Sequence, residues 1–146
     1  MRFVYLSIVI IVAVATGFFL LFSRQDSTPT QVWGGRIVEV KENSIVVDGT
    51  IIYLGQVDSG RRETRIIEFR IKPETVLTKR VIYITREQIE GRQQFTPERK
   101  DFAGSFGDFK AGVDIHSITS SANLFNANKA TGDEIIYFSH EIEPRQ

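Results

Sequence analysis

Residues 3–22, FVYLSIVIIVAVATGFFLLF, form a run of twenty residues without a charged side chain, and this run constrains the chain more than any other feature. As a helix with a rise of about 1.5 Å per residue, the run would be about 30 Å long, the thickness of a bilayer's hydrocarbon core. It is longer than the apolar core of a cleavable signal peptide, and it lacks the polar face of a helix in a soluble domain. The sequence therefore predicts one uncleaved transmembrane helix that begins at Phe3 and ends at Phe22.

The charges on either side of this run predict its orientation. Arg2 and the N-terminal amine precede the run, whereas Arg24 on the other side is partly offset by Asp26. The positive-inside tendency therefore favours a signal anchor with a cytoplasmic N-terminus and a folded domain outside the cytoplasm. Trp33 follows soon afterwards, and its indole suits either the lipid headgroup level or a contact with the folded domain.

The chain divides into four predicted segments. Residues 1–24 are the membrane anchor, residues 25–32 a linker, residues 33–142 a β-barrel domain and residues 143–146 a tail. The linker is polar, contains a proline and shows no apolar period, which is typical of a short extended tether. We therefore expect a single-pass protein of the cell membrane.

Beyond the linker, apolar residues recur with a period of two. In residues 66–72, Ile67, Phe69 and Ile71 alternate with charged residues, which is the pattern of a half-buried strand. Further strands are predicted at 36–41, 44–48, 50–54, 76–85, 112–118 and 134–140. Turn-forming residues separate them, and no long stretch shows a helical stripe. The predicted fold is mainly β, a small antiparallel OB-like barrel or sandwich preceded by one N-terminal transmembrane helix.

Two local predictions complete this arrangement. Residues 86–111 hold three glycines and few apolar residues, so we expect a long excursion between strands, of the length that is often functional. Gly34 and Gly35 precede the first predicted strand, and we expect the chain to enter that strand through them.

The sequence contains no arrangement of residues typical of a catalytic site. The chain has no cysteine, which excludes disulfides, thiolate nucleophiles and cysteine-based metal sites. The glycines around Ser105 fit neither a phosphate-binding loop nor a nucleophile elbow. Asp114 and His116 lie two apart on a predicted strand and offer two metal ligands, where a site needs three or four. We therefore predict a protein that is not an enzyme, with no catalytic residue, cofactor or metal.

The middle of the chain is basic although the whole is neutral. Residues 61–110 carry twelve Lys and Arg against eight Asp and Glu, whereas the full chain carries 18 of each. The residues predicted as a ligand surface on this basis are Arg61, Arg62, Arg65, Arg70 and Lys72. Phe69 faces the core on the same strand, so no outward aromatic platform accompanies these charges, and nucleic acid is disfavoured as the partner.

Several short motifs carry a resemblance. They are the glycine-led strand at 35–40, the strand at 44–47, the alternating strand ending at Lys72, the Asp-Phe-Lys-Ala-Gly step at 108–112 and the closing strand at 133–137. Their order resembles that of uncharacterised bacterial membrane-anchored proteins with a small extracytoplasmic β-barrel and an OB-like meander. The resemblance covers most of residues 34–140 and implies the fold alone, because that family has no established activity.

Three function classes remain open at this point. The first is a non-enzymatic envelope module, held in the bilayer by residues 3–22, that binds a protein or glycan or takes part in envelope assembly. The second is a nucleic-acid-binding OB-like domain on the cytoplasmic face, motivated by the basic middle. The third is an envelope hydrolase or metal-binding protein that uses Asp114 and His116.

Overall fold

The computed structural model of the chain describes residues 29–57, 60–84, 90–91 and 97–142. Within these ranges no helix is long and apolar enough to cross a membrane. The predicted span at 3–22, with its flanks Arg2 and Arg24, lies outside the described residues, as do residues 25–28 of the predicted linker and the predicted tail. These parts of the organisation therefore stay predictions.

Eight strands and one short 3₁₀ helix at Phe106–Asp108 make up the regular structure of the described chain. The strands are β1 at Thr30–Val40, β2 at Ser44–Tyr53, β3 at Glu63–Arg70, β4 at Val76–Ile84, β5 at Glu98–Ala103, β6 at Asp114–Ser120, β7 at Lys129–Thr131 and β8 at Glu134–Ile142. They form one sheet in the order β5-β4-β8-β6-β1-β2-β3-β7, which is not closed over the described residues. The prediction of a mainly β fold is confirmed.

The sheet is mixed rather than wholly antiparallel. Most neighbouring strands run antiparallel, but β3 and β7 pair in parallel, and so do β4 and β8. The parallel pairs arise because β7 and β8 follow one another along the chain, as β3 and β4 do, and the two stretches run side by side. Backbone bonds continue between the pairs, from the N–H of Gly132 to the carbonyl of Arg70 and from the N–H of Val76 to the carbonyl of Asp133.

The start of the first strand differs from the prediction. β1 begins at Thr30, so three residues assigned to the linker belong to the sheet, and Gly34 and Gly35 lie inside the strand rather than before it. Val32 pairs with Ile51 and Gly35 with Gly49, which leaves one extra residue on β1 and marks a β-bulge. Gly34 has φ of 74° at this bulge, a backbone conformation that glycine adopts without strain.

Two predicted strands, 44–48 and 50–54, are one continuous strand. Asp48 and Gly49 are the turn-forming residues that separate these two strands in the prediction, but no turn forms and both residues are extended in β2. Gly49 is there because β1 approaches closely. A Cβ on Gly49 would lie 2.5 Å from Val32 Cγ1, and one on Gly35 would lie 2.7 Å from the Asp48 carbonyl oxygen. Glycine in this strand therefore indicates a close backbone contact rather than a turn.

The predicted excursion at 86–111 contains a strand. β5 pairs with β4 in an antiparallel hairpin at the edge of the sheet, and all six of its residues are exposed. A strand exposed on both faces has no alternating apolar pattern, and for this reason β5 could not be predicted from the sequence. β7 was also missed, because three residues are too few to show a period.

The core lies on one side of β1, β2, β3, β6 and β8. The predicted alternation in β3 is confirmed: Ile67 and Phe69 are fully buried, whereas Arg70 is exposed on the other face. The central core residues are Val32, Ile37, Ile45, Val47, Ile51, Ile67, Phe69, Phe109, Ile115, Ile118, Leu124, Phe125, Ile135 and Tyr137. Burial of these side chains is the main term that stabilises the sheet.

Tyr137 fixes the loop before the 3₁₀ helix. Its hydroxyl donates to Asp108 Oδ2 at 2.5 Å and accepts the N–H of Ser105 at 3.1 Å. Burial and the neighbouring Asp108 raise the pKa of Tyr137 to about 12. Gly104 passes directly over this ring, and a Cβ there would lie 2.6 Å from the hydroxyl oxygen and 3.1 Å from the Leu77 carbonyl carbon.

Gly104→Ala is therefore expected to destabilise the protein by about 1–3 kcal/mol, the usual range for overpacking a close contact. Urea denaturation of the purified chain measures the effect. Gly107→Ala is the matched control, because the atom nearest a Cβ there is Ser105 Oγ at 3.6 Å, an ordinary contact. Equal midpoints for the two variants would show that Gly104 has no steric role.

Candidate functional site

The five basic residues predicted as a ligand surface lie at the two ends of β3. Near its start, Arg65 donates to the carbonyl of Phe125 and, at 2.7 Å, to Asn128 Oδ1. Arg61 lies 4.4 Å from the centre of the Phe125 ring, and Arg62 donates to the carbonyl of Val57. These three side chains thus make contacts within the protein, and Arg65 in particular holds the segment before β7 against β3.

At the far end of β3, Lys72 lies 3.6 Å from Glu74, and Arg70 borders a cleft of about 470 Å³. The cleft is lined by Asn43, Ser44, Glu68, Arg70, Lys129, Ala130 and Thr131. Among the described residues, no carboxylate lies within ion-pair distance of Arg70. Of the five basic residues, Arg70 is therefore the one whose charge faces solvent in a cleft.

Glu68 organises the polar groups around this cleft. Its carboxylate accepts from Lys41 and Lys129, each at 3.0 Å, and from the hydroxyl of Ser44 at 2.9 Å. The hydrogen bonds from Lys41, Lys129 and Ser44 lower the pKa of Glu68 to about 2. The carboxylate consequently stays ionised at any physiological pH, and it ties β2, β3 and β7 together.

A second arrangement lies on the outer face of the sheet, where three rings follow one another across β1, β6 and β8. The Trp33 ring centre is 4.9 Å from that of His116, which is 5.4 Å from that of Phe138. Trp33 keeps 38% of its surface exposed, and the other two rings are half-buried. Tilted and edge-on contacts at these separations are favourable for aromatic pairs.

Two β-bulges place these rings. Trp33 precedes Gly34 at the bulge of β1, and His116 is the extra residue of β6 between the pairs Ile115–Tyr137 and Ser117–Ile136. A bulge adds one residue to its strand and re-aims the side chain beside it. The two bulges on adjacent strands thus bring Trp33 and His116 into contact on the outer face.

The row continues onto β4 and β5. Arg80 pairs in register with Phe138, and Asp101 with Arg80. The Arg80 guanidinium binds the Asp101 carboxylate through two bonds of 2.8 Å, a bidentate geometry. We use the name aromatic row for Trp33, His116, Phe138, Arg80 and Asp101, which lie on five neighbouring strands.

Charge on the row is largely compensated. The hydrogen bonds from Arg80 lower the pKa of Asp101. Burial, together with the positive charges of Arg80 and Arg99, lowers the pKa of His116, whereas Asp101 acts in the opposite direction. Since the pKa of His116 lies below its ordinary value, the imidazole is mainly neutral at pH 7, and the row offers aromatic surface beside one hydrogen-bonding ion pair.

Asp114 and His116, considered as metal ligands from the sequence, are each engaged otherwise. Asp114 accepts from Arg36 Nε at 2.8 Å, and His116 lies between the rings of Trp33 and Phe138. In the described part of the chain, no group of three His, Cys, Asp or Glu residues lies close enough together to hold a metal ion. His140, the other histidine, is exposed on β8.

Sequence reasoning did not find the aromatic row. Its members are far apart in the chain, and the strand order that joins them is not written in any local pattern. The sequence predicts a membrane or domain contact for Trp33 and offers His116 as one of two ligands, too few for a metal site, so both residues drew attention for other reasons. The available signal was the Gly34-Gly35 pair after Trp33, which marks the bulge.

Glu68→Gln is expected to change the acid dependence of stability. The pKa of Glu68 is lower in the folded protein than its ordinary value of 4.5. The ionised Glu68 carboxylate therefore stabilises the folded protein above pH 4.5, and this stabilisation is lost as the pH falls toward 2. The variant should melt at a lower temperature at pH 7, and its melting temperature should fall less between pH 5 and pH 2. Glu74→Gln, at an exposed position, is the control, and parallel melting curves for Glu68→Gln and wild type would contradict the expectation.

Comparison of the chain with protein-family models, with curated proteins and with solved structures finds no match. No relative therefore supplies a role for any residue. A function must therefore be inferred from the chemistry of the aromatic row and from the clefts in the surface of the domain.

Proposed function

We propose that this protein is a membrane-anchored, extracytoplasmic binding module without catalytic activity, and that its domain is a small OB-like barrel. The anchor and its orientation are supported by the uncharged run at 3–22 and by the charges that flank it. A module that binds rather than reacts is supported by the compensated charges and the tilted, edge-on aromatic contacts of the aromatic row.

The OB-like barrel is supported by the path of strand pairing. β1 pairs with β2, β2 with β3, and β3 with β7. Two residues after β7 the chain begins β8, which pairs with β6, and β6 pairs with β1. If β7 and β8 are taken as one interrupted strand, the path returns to its starting point around the core. In this description β4 and β5 are a hairpin inserted on the outside.

The ligand we propose is a glycan of the cell envelope, and the aromatic row is the observation that carries this proposal. A sugar ring has an apolar face of C–H groups and an edge of hydroxyl groups. Trp33 and Phe138 supply flat apolar surface, while Arg80 and Asp101 supply donors and acceptors at the end of the row. Sites for such ligands combine aromatic surface with few well-placed polar groups, and OB-folds commonly bind oligosaccharides.

A nucleic-acid ligand is the second candidate, and one observation favours it. The row is an outward aromatic platform, with Arg80 and Arg99 close enough to act on His116. Bases stack on such platforms in single-stranded nucleic-acid sites. This candidate requires the domain to face the cytoplasm, and binding would weaken steeply as salt is added, because phosphate contacts release counterions.

Binding can be followed through Trp33, the chain's single tryptophan, which lies in the row. We expect an N-acetylglucosamine oligosaccharide to change the tryptophan fluorescence of the full chain in detergent micelles, with little dependence on salt. Phe138→Ala should weaken binding about tenfold, the size expected for loss of one aromatic contact. Phe102→Ala is the matched control, because it removes the same kind of ring from an exposed position next to Asp101 but on the opposite face of β5.

The same titration with an oligothymidylate separates the two ligands. Saturable binding of the oligothymidylate that disappears at high salt, without binding of the oligosaccharide, would replace the glycan proposal by the nucleic-acid one. Equal loss of affinity in Phe138→Ala and Phe102→Ala would show that the row is not the site.

Topology is tested independently of the ligand. Because the chain has no cysteine, Asn126→Cys introduces a single thiol at an exposed position of the domain. We expect a membrane-impermeant maleimide to label this thiol in intact cells. Labelling that requires permeabilised cells would place the domain in the cytoplasm and contradict the proposed location.

A further inference from the structure

β6 and β8 part from each other at one end of the sheet. Their last pair there is Ile115 with Tyr137, and β8 then continues beside β4 as far as Ile142. The chain before β6 instead follows β1: the N–H of Gly112 donates to the carbonyl of Ile37 at 2.8 Å, and the N–H of Ile37 donates to that of Val113 at 2.9 Å. The two backbones therefore diverge from the Ile115–Tyr137 pair and leave a V-shaped gap between them.

A cleft of about 500 Å³ occupies this V, and we call it the β6–β8 cleft. Its walls are residues 112–114 on one side and 138–140 on the other, with Tyr137 and Asp108 at the base and Lys79 and Lys110 beside them. Over the described residues, no strand pairs with the β6-facing edge of β8 beyond Tyr137. An edge of this kind presents backbone donors and acceptors to an added strand.

Two lysines, Lys79 and Lys110, bring positive charge to the cleft. Neither Lys79 nor Lys110 forms an ion pair with a described residue. Asp108 in the base of the cleft is held by the Tyr137 hydroxyl and by the N–H of Ser105, and Asp114 on its wall is held by Arg36. Asp114 is thus paired with Arg36, whereas Asp108 keeps its negative charge, and the nearby Lys79 helps to lower its pKa. Lys110 is the cation of the cleft whose ammonium group is left for an incoming ligand.

We propose that the β6–β8 cleft binds an extended, acidic segment of a partner protein by strand addition. The segment would lie along residues 138–142 of β8, a length of about 16 Å at the strand rise of about 3.3 Å per residue. Its backbone would bond to the free edge of β8, and alternate acidic side chains would reach Lys79 and Lys110. Main-chain bonds give affinity in this mode of recognition and side-chain positions give specificity.

This site goes beyond the proposed glycan site, although the two share β8. The aromatic row uses the outer face of the strand, and the cleft uses its edge. A module that binds a glycan with one and a protein with the other would link an envelope polymer to an acidic partner. The partner proposal does not depend on the glycan, because it rests on the separated strands and the lysines alone.

The test uses a fluorescently labelled peptide of alternating glutamate and valine, titrated with the full chain in detergent micelles and followed by anisotropy. We expect saturable binding, and about tenfold weaker binding to Lys110→Glu, because a charge reversal turns attraction into repulsion. Lys72→Glu is the matched control, since it reverses another exposed lysine outside the cleft. Unchanged far-ultraviolet circular dichroism shows that each variant is folded.

Strand addition is separated from simple charge attraction by two further peptides. A peptide N-methylated at alternate residues keeps its charge but loses backbone donors, and it should not bind. A lysine–valine peptide should not bind either. Three results would each overturn the proposal. The N-methylated peptide binds as tightly as the acidic peptide, Lys110→Glu and Lys72→Glu weaken peptide binding equally, or the acidic peptide does not bind at all. Self-association of the chain that Lys110→Glu abolishes, without peptide binding, would identify the occupant as a second copy and overturn it too.

Discussion

The close approach of β1 to β2 is the contact on which the rest of the sheet depends. Gly35 and Gly49 lie opposite each other, and a Cβ on either would meet backbone or side-chain atoms at 2.5–2.7 Å. These atoms belong to the neighbouring strand, so the close approach at this point requires glycine at both positions. β1 pairs with β2 on one side and with β6 on the other. β1 thereby becomes the centre of the sheet, and the core residues of five strands meet on one of its faces.

The bulge beside this contact connects the fold to its candidate site. Gly34 takes a positive φ, the strand gains one residue, and Trp33 is placed against His116, itself at a bulge. The contact between the two rings therefore follows from backbone irregularities in two strands rather than from a loop. A site built on paired strands is held more precisely than a site on loops, and this suits recognition of a flat ligand.

The sequence predicted those parts of the fold that local pattern determines. The alternation in β3 indicated both the strand and its buried face, because each side chain's environment repeats every two residues. It could not predict β5, which is exposed on both faces, or β7, which is too short to repeat. The pairing of Arg80 with Asp101, like the aromatic row as a whole, depends on which strands become neighbours. That information lies in long-range packing.

On the proposed topology, the position of β1 also limits how far from the membrane the aromatic row can meet a ligand. β1 begins at Thr30 and the predicted span ends at Phe22, so seven residues join them. Fully extended, this tether reaches about 25 Å at about 3.5 Å per residue. Trp33 lies only three residues into β1, so on this topology the aromatic row would lie close to the bilayer whatever path the tether takes. On this topology a ligand of the module must come within reach of the membrane surface, a condition that a glycan of the cell envelope meets.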